Sequence, residues 1–298
     1  FTDKTTRYEF SRILANKRTA PTIMTDDNFD IFELAKNPDG YTLFKMVLDN
    51  FEIYNLHIDS EDEHGNTLLH LIVNHYDHNN LVNRLLTLGA DVNKRNFMDE
   101  TPVYLACSKG KLKLAKLLVE KGADLRVKDS KSKSLLHLAV EKNNLELCRF
   151  LIERGLDVNS QDHDGETPLH YAVQTKHNKI LFLLVHKADI NKQDHDGYTP
   201  LHLAAKTSVE VVNFLLRNKA STSLKTFNGD SPLHLAAAAG NLATATVLLS
   251  FFNVNCLNND NYSAAQLAEM NGHEEVLRLL QRHCAPPRGP EGKKGKRM

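Results

Sequence analysis

The sequence predicts an all-α solenoid of helix-turn-helix units joined by projecting, β-hairpin-like turns. Three observations carry this. A tetrad of the form Thr/Ser-x-Leu-His recurs, anchored at Thr67, Thr101, Ser134, Thr167, Thr199, Ser231 and Ser263, with gaps of 34, 33, 33, 32, 32 and 32 residues. About twenty residues after each of the first six anchors stands a second signature: LGADVN (88–93), KGADLR (121–126), RGLDVN (154–159), HKADIN (186–191) and the weaker NKASTS (218–223) and FFNVNC (251–256). Between copies lies a turn: DEHG (62–65), DHDG (162–165), DHDG again (194–197) and FNG (227–229). A fixed period in this range marks a stack of supersecondary units, each too small to bury its own apolar face.

Each element of the unit follows from its residues. The anchor Thr or Ser stands at a helix N-cap, where its hydroxyl can accept an orphan backbone N–H. Pro follows in TPVYLAC (101–107), TPLHYAV (167–173), TPLHLAA (199–205) and SPLHLAA (231–237), at the first helical turn where its missing donor costs nothing. The Leu and Ala positions face inward, and Ala lets helices approach closely. A second helix follows, such as 112–120, with Leu114, Leu117 and Leu118 at core spacing. Gly89, Gly122 and Gly155 end it in the left-handed conformation. An Asp-x-x-Gly turn then reverses the chain. In later copies Lys187, Lys219 and Phe252 occupy the region of that helix-ending Gly, so those turns are expected to take another shape. The fifth copy is short between its two helices, at 206–209.

These motifs resemble the ankyrin repeat over residues 62–283. The resemblance implies about seven repeats, at 62–95, 96–128, 129–161, 162–193, 194–225, 226–257 and 258–283. Residues 39–61 read as a degenerate repeat or cap, and residues 1–38 as an unassigned N-terminal helical segment with helices near 7–15 and 26–35. The tail 284–298 is rich in Pro, Gly and Lys and is expected to be disordered. Within it KKGKR (293–297) fits a loose nuclear-import pattern. Residue 1 is Phe and no basic-then-apolar leader follows, which points to a fragment or a processed product.

Composition narrows the function. Lys+Arg and Asp+Glu each number 37, so there is no net charge to recruit nucleic acid or a membrane surface. The longest apolar runs, such as 180–185, fall far short of the ~18 residues of a membrane span. Cys107, Cys148, Cys256 and Cys284 have no short pairing, which favours free thiols in a reducing compartment.

The search for chemistry yields no catalytic, cofactor or metal site. His70, His137, His170, His202 and His234 recur at one structural position, and Tyr104 and Gln266 replace them elsewhere. That suits buried imidazoles bonded to neighbouring backbone, not a ligand set. His163 and His195 are one repeat apart, too far to share a metal ion held by bonds of ~2.0–2.1 Å. His75, Asp77 and His78 read as a solvated helix end, and the tail's glycines fail the phosphate-loop spacing.

The resemblance places binding on the hairpin tips and the exposed positions of the first helices. Tip candidates are Met98, Glu100, Lys131, Lys133, His163, Glu166, His195, Tyr198, Asn228, Asp230 and Tyr262. First-helix candidates are Lys109, Glu141, Lys142, Gln174, Lys206, Ala238 and Met270. Tyr198 and Tyr262 stand out as anchors, because aromatic residues dominate interface energetics. The resemblance also implies Asn hydroxylation at Asn93, Asn159 and Asn191, which match a Leu-upstream, Asp-hydrophobic-Asn context.

The expected function is a non-enzymatic protein-binding adaptor or scaffold along the concave groove of the repeats, with no cofactor, no nucleic acid and no membrane span, and monomeric. Two readings stay beside it. One is the regulatory region of a larger enzyme or channel. The other is an IκB-like inhibitor of a transcription factor, favoured faintly by KSKS (131–134) and opposed by the long regular run of repeats beyond it. The expected location is cytoplasmic, with a nuclear alternative resting on the tail.

Overall fold

The computed structural model describes residues 31–36, 45, 48 and 57–284. The chain divides after Leu156 into two compact units. The expected helix at 7–15, residues 26–30 of the expected helix at 26–35, most of 39–56, and 285–298 lie outside the described residues.

In the first unit α1 spans Ile31–Lys36. Three helix pairs follow: α2 (Leu68–His75) with α3 (Asn79–Thr87), α4 (Pro102–Ser108) with α5 (Leu112–Glu120), and α6 (Leu135–Glu141) with α7 (Leu145–Glu153). The second unit holds α8 (Pro168–Gln174) with α9 (Asn178–Val185), α10 (Pro200–Thr207) with α11 (Val209–Arg217), α12 (Pro232–Ala238) with α13 (Leu242–Leu248), and α14 (Ala264–Met270) with α15 (Glu274–Cys284). Among the described residues no strand forms; two isolated antiparallel bridges join Lys128 to Ser134 and Leu257 to Ser263. The all-α repeat solenoid expected from the anchors is the fold observed.

Within each unit first helices pack on first helices and second helices on second. The inner faces are lined by small residues: Ala106, Ala139, Ala172, Ala204, Ala205, Ala236, Ala237 and Ala268 are fully buried. No larger side chain would let the backbones come so close. Leu114, Leu118, Leu147, Leu151, Leu184 and Leu215 of the second helices complete the core. Cys107 and Cys148 are buried with it as free thiols. Burial pushes both up to about 12, so they behave as small apolar side chains and not as nucleophiles.

The ends of the second helices correct one expectation. Gly89, Gly122 and Gly155 are left-handed, and the residue after each bonds back five residues, as Ala90 N–H does to the Leu85 carbonyl at 3.1 Å. Lys187 and Phe252 are not left-handed; there Ala188 bonds to Leu184 and Phe252 to Leu248, closing the helix by a tighter turn. Lys219 was expected to share that change of shape and does not. Its φ is 66°, and Ala220 N–H reaches the Leu215 carbonyl at 3.0 Å, so Lys stands in the geometry of the missing Gly. The reason is length: the fourth and sixth copies lose a residue at this turn, whereas the fifth lost its residue earlier. There Ser208 both ends α10 and caps α11.

Candidate functional site

Each turn between repeats is held by its first side chain. Asp162 Oδ1 accepts the N–H groups of Asp164 and Glu166 at 3.1 and 2.9 Å, and Asp194 Oδ1 those of Asp196 and Tyr198 at 3.0 and 2.7 Å. Asp62, Asn96, Asp129 and Asn258 act alike, and the Thr226 hydroxyl accepts the N–H four residues on, from Asp230. A carboxylate or amide that accepts from two and four residues on forces a tight reversal. Two side chains are thereby aimed outward, and a third is turned onto the first helix that follows.

Within the second unit the tips also bond to one another. His195 N–H donates to Asp164, Phe227 N–H to Asp196 and Asn259 N–H to Asn228, all at 2.9–3.0 Å. Gly197 sits where this approach leaves no room for a side chain: φ is +83°, and an added Cβ would meet Phe227 N at 2.7 Å. Side chain and handedness both demand glycine there.

Behind the tips lies a histidine latch. His202 Nδ1 stands 2.8 Å from Thr199 Oγ1 and 3.2 Å from Thr199 N, while Nε2 reaches the Asp230 carbonyl at 3.2 Å. His70, His170 and His234 repeat this, reaching Glu100, Tyr198 and Cys256. Thr N–H must donate to Nδ1 and the carbonyl must accept from Nε2, so the ring is the neutral Nε2–H tautomer. Burial depresses all four imidazoles, His202 to about 4. The anchor hydroxyl also accepts the helix N–H that the cap pattern suggested, as Thr101, Thr199 and Ser263 do from the third helical residue, and at Thr199 the ring is the closer partner. Thr199 Oγ1 accepts from His202 N only at 3.4 Å, longer than its bond to the ring. At Tyr104 the latch becomes a phenol donating to Asp129 at 2.7 Å. Gln266 copies the Nδ1 role with Oε1, 2.8 Å from Ser263 N. These histidines have both nitrogens engaged in the fold. Among the described residues no three His, Cys, Asp or Glu side chains come together as a metal site, and no helix is long and apolar enough to cross a membrane.

The candidate binding residues sort into distinct registers. Met98, Lys131 and Asn228 occupy the second tip position, and His163 and His195 the first. Glu100, Lys133, Glu166, Tyr198, Asp230 and Tyr262 stand just before the N-cap, nearest the first helix. Reading the first two groups as one row misplaces them by one residue, because the side-chain turn of the leading Asp or Asn sets the count. The third group pairs with side chains eight residues on. Lys133 Nζ lies 2.6 Å from Glu141, Gln174 donates to Glu166, and Lys206 Nζ stands 5.6 Å over the Tyr198 ring. Asp230 with Ala238 and Tyr262 with Met270 hold the same two positions in the next repeats. Lys109, Glu141, Lys142, Gln174, Lys206 and Met270 are exposed, and Ala238 is half-buried.

Sequence reading missed Phe97 and Phe227, which hold the first tip position and are 73% and 65% exposed. The available signal was a large apolar residue inside an Asx-type turn, where the leading side chain leaves the next one no core to enter. Asn93, Asn159 and Asn191 stitch repeats together: their Oδ1 atoms accept the N–H of Asp124, Asp189 and Ser221 at 2.7–2.8 Å.

A family model for ankyrin repeats matches residues 31–129, 136–226 and 210–288, which together span most of the chain. Comparison with curated proteins returns no match.

Proposed function

The chain belongs to the ankyrin repeat family, and we propose that it is a non-enzymatic adaptor or scaffold that binds another protein on the hairpin-and-first-helix side of its repeats. Ankyrin repeats serve generally as protein–protein interaction modules. The observation that carries the reading is the paired register. In three repeats the residue before the N-cap and the one eight further lie side by side. The pairs are Lys133 with Glu141, Glu166 with Gln174 and Tyr198 with Lys206. The side chains at these positions lie outside the buried core, and their chemistry changes from repeat to repeat. A constant frame with variable exposed pairs suits recognition by many modest contacts.

Tyr198 is the strongest anchor on this surface: a half-buried ring, edge-on to His202 and capped by a cation, loses little freedom when covered. Tyr262 and Phe227 extend the apolar area in the same unit, and Met98 with Phe97 forms a separate exposed pair in the other.

The test is capture of partners from cells by the parent chain, then titration of any partner retained. Replacing Tyr198 and Tyr262 together by Ala is expected to weaken that partner by ~2 kcal/mol or more, with little change in stability because both are at turns. Leu201→Ala, in the core, is the control: it should cost ~2–5 kcal/mol of stability and act on binding only through unfolding. A double Tyr variant that binds like the parent removes this surface from consideration. Two further elements of the proposal stand on sequence alone. One is nuclear entry through KKGKR, tested by fusing 285–298 to a large fluorescent carrier. The other is hydroxylation of Asn93, Asn159 or Asn191, tested by a +16 mass shift on peptides from cells.

A further inference from the structure

The second helices carry one exception to the repeat's own frame. Two residues after the buried Leu81, Leu114, Leu147, Ile180, Val211, Thr244 and Val276, the side chain is exposed in five repeats and half-buried at Asn83 and Asn213. Six repeats place Asn83, Lys116, Arg149, Asn213, Thr246 and Arg278 there, all polar. The fourth places Phe182, which is 58% exposed. Its ring meets His186 edge-on at 4.7 Å and Phe214 of α11 at 6.0 Å, and these contacts leave most of it in water. The stack needs no aromatic at this position, since Asn213 and Thr246 fill it in the next two repeats.

The surroundings are cationic. From 176 to 187 the chain contains Lys176, Lys179 and Lys187 and no Asp or Glu. Lys179 lies one turn before Phe182 on α9, Lys187 follows the helix end, and Arg217 lies one turn after Phe214 on α11; all three are exposed. The single acid of α11, Glu210, accepts the Ser208 hydroxyl at 2.6 Å.

We infer that the outer face of α9 and α11 is a second docking site, for an acidic protein segment that carries an aromatic or branched aliphatic side chain, with Phe182 as its anchor. The apolar side chain covers Phe182 and Phe214, and the flanking carboxylates face Lys179, Lys187 and Arg217. Charge complementarity selects the sign of the partner, because a basic segment would be repelled by Lys179, Lys187 and Arg217. The aromatic pair selects a protein segment over a bare polyanion, since the rings gain most when an apolar group desolvates them. This site does not depend on the hairpin-side surface: the double Tyr198→Ala, Tyr262→Ala variant should bind the acidic segment as the parent does.

The test uses the full chain and a fluorescein-labelled twelve-residue peptide alternating Asp or Glu with Leu around a central Phe. The control is the same peptide with Lys for every acid. Fluorescence anisotropy should show saturable binding of the acidic peptide only. Phe182→Lys, which installs the residue found at position 116, should weaken it about tenfold while the thermal midpoint stays put. Lys187→Glu with Arg217→Glu should weaken it about fivefold or more without touching the rings. The proposal falls if the lysine peptide binds equally or if Phe182→Lys leaves affinity unchanged. It also falls if single-stranded DNA of the same charge competes as well as unlabelled peptide. A large drop in the melting temperature of Phe182→Lys would make Phe182 a structural residue and overturn the site as well.

Discussion

Thr199 and His202 close a ring at the head of α10: the backbone N–H and the hydroxyl of Thr199 both point at Nδ1 of His202, at 3.2 and 2.8 Å. The far nitrogen of the same imidazole holds the Asp230 carbonyl of the next repeat at 3.2 Å. One side chain thus fixes a helix start and the register between repeats.

The latch makes stability depend on pH in a defined direction. His70, His170, His202 and His234 are all held below the ordinary histidine value by burial. Because the folded value lies below the unfolded one, the unfolded chain binds more protons in the interval between them. Stability is therefore full above about pH 6.5 and falls as pH drops, for His202 down to about 4. Inside that window His202 contributes a slope of up to roughly 1.4 kcal/mol per pH unit, and the other three add to the decline in the same direction. Urea midpoints measured from pH 7.5 to 4.5 should decline steadily. His202→Gln should flatten the decline, and an unchanged slope in that variant would show that the imidazole is not held neutral.

Gln266 indicates what His202→Gln will cost. Its Oε1 accepts from Ser263 N and Oγ as Nδ1 does. The Gln variant keeps that half of the latch and should cost less than His202→Ala, which also strands the Thr199 N–H. Each buried partner left unmade costs about 1–3 kcal/mol. Denaturation midpoints of the two variants at pH 7.5 give the order directly. An Ala variant as stable as the Gln variant would contradict the latch.

Two glycines with similar dihedrals should answer differently to alanine. Gly89 has φ +92° and nothing within 4 Å of an added Cβ, so Gly89→Ala bears only the left-handed cost of ~1–2 kcal/mol. Gly197 has φ +83° and Phe227 at 2.7 Å, so Gly197→Ala adds a clash between tips and should cost about 2–4 kcal/mol. Melting curves of both variants distinguish them. Equal losses would mean that the hairpins of the second unit do not touch as closely as this geometry requires.

The fold was legible because its signals are local and repeated. An N-cap, a proline one residue later and an Ala pair declare the first helix from a handful of adjacent residues. The periodic copies then check one another. The variable surface was legible only in outline. Which tip residue projects depends on the turn made by Asp162, Asn96 or Thr226, and a shift of one residue exchanges His163 for Asp164. Phe227 falls in the FNG turn and Phe182 in the apolar run 180–185, and residue type alone singles out neither as an exposed side chain. Their exposure follows from the face they occupy, which composition does not reveal. Lys187 and Lys219 look equivalent in sequence, yet a residue deleted before the fifth repeat's second helix, and not after it, gives them different backbones.

That last difference yields a paired prediction. Lys219 has φ 66° and carries the strain of a side chain in the left-handed region, about 1–2 kcal/mol, where Ala220 N–H closes the turn on Leu215. Lys219→Gly removes that strain. It also gives the unfolded chain more freedom, which offsets about 0.5–1 kcal/mol. The net expectation is a gain of roughly 0.5–1 kcal/mol, with no packing lost because the side chain is exposed. Lys187 is not left-handed, and its N–H bonds to Leu184 at 2.9 Å in an ordinary turn. Lys187→Gly therefore relieves nothing and only adds unfolded-state entropy, so it should lose about 0.5–1 kcal/mol. The two variants make the same chemical change at matching places in successive repeats, so differences of charge or solvation cancel between them. Midpoints in urea at pH 7.5 and moderate salt should move in opposite directions. If both rise or both fall, the fourth and fifth repeats end their second helices in the same way, and the one-residue shift between them is misplaced.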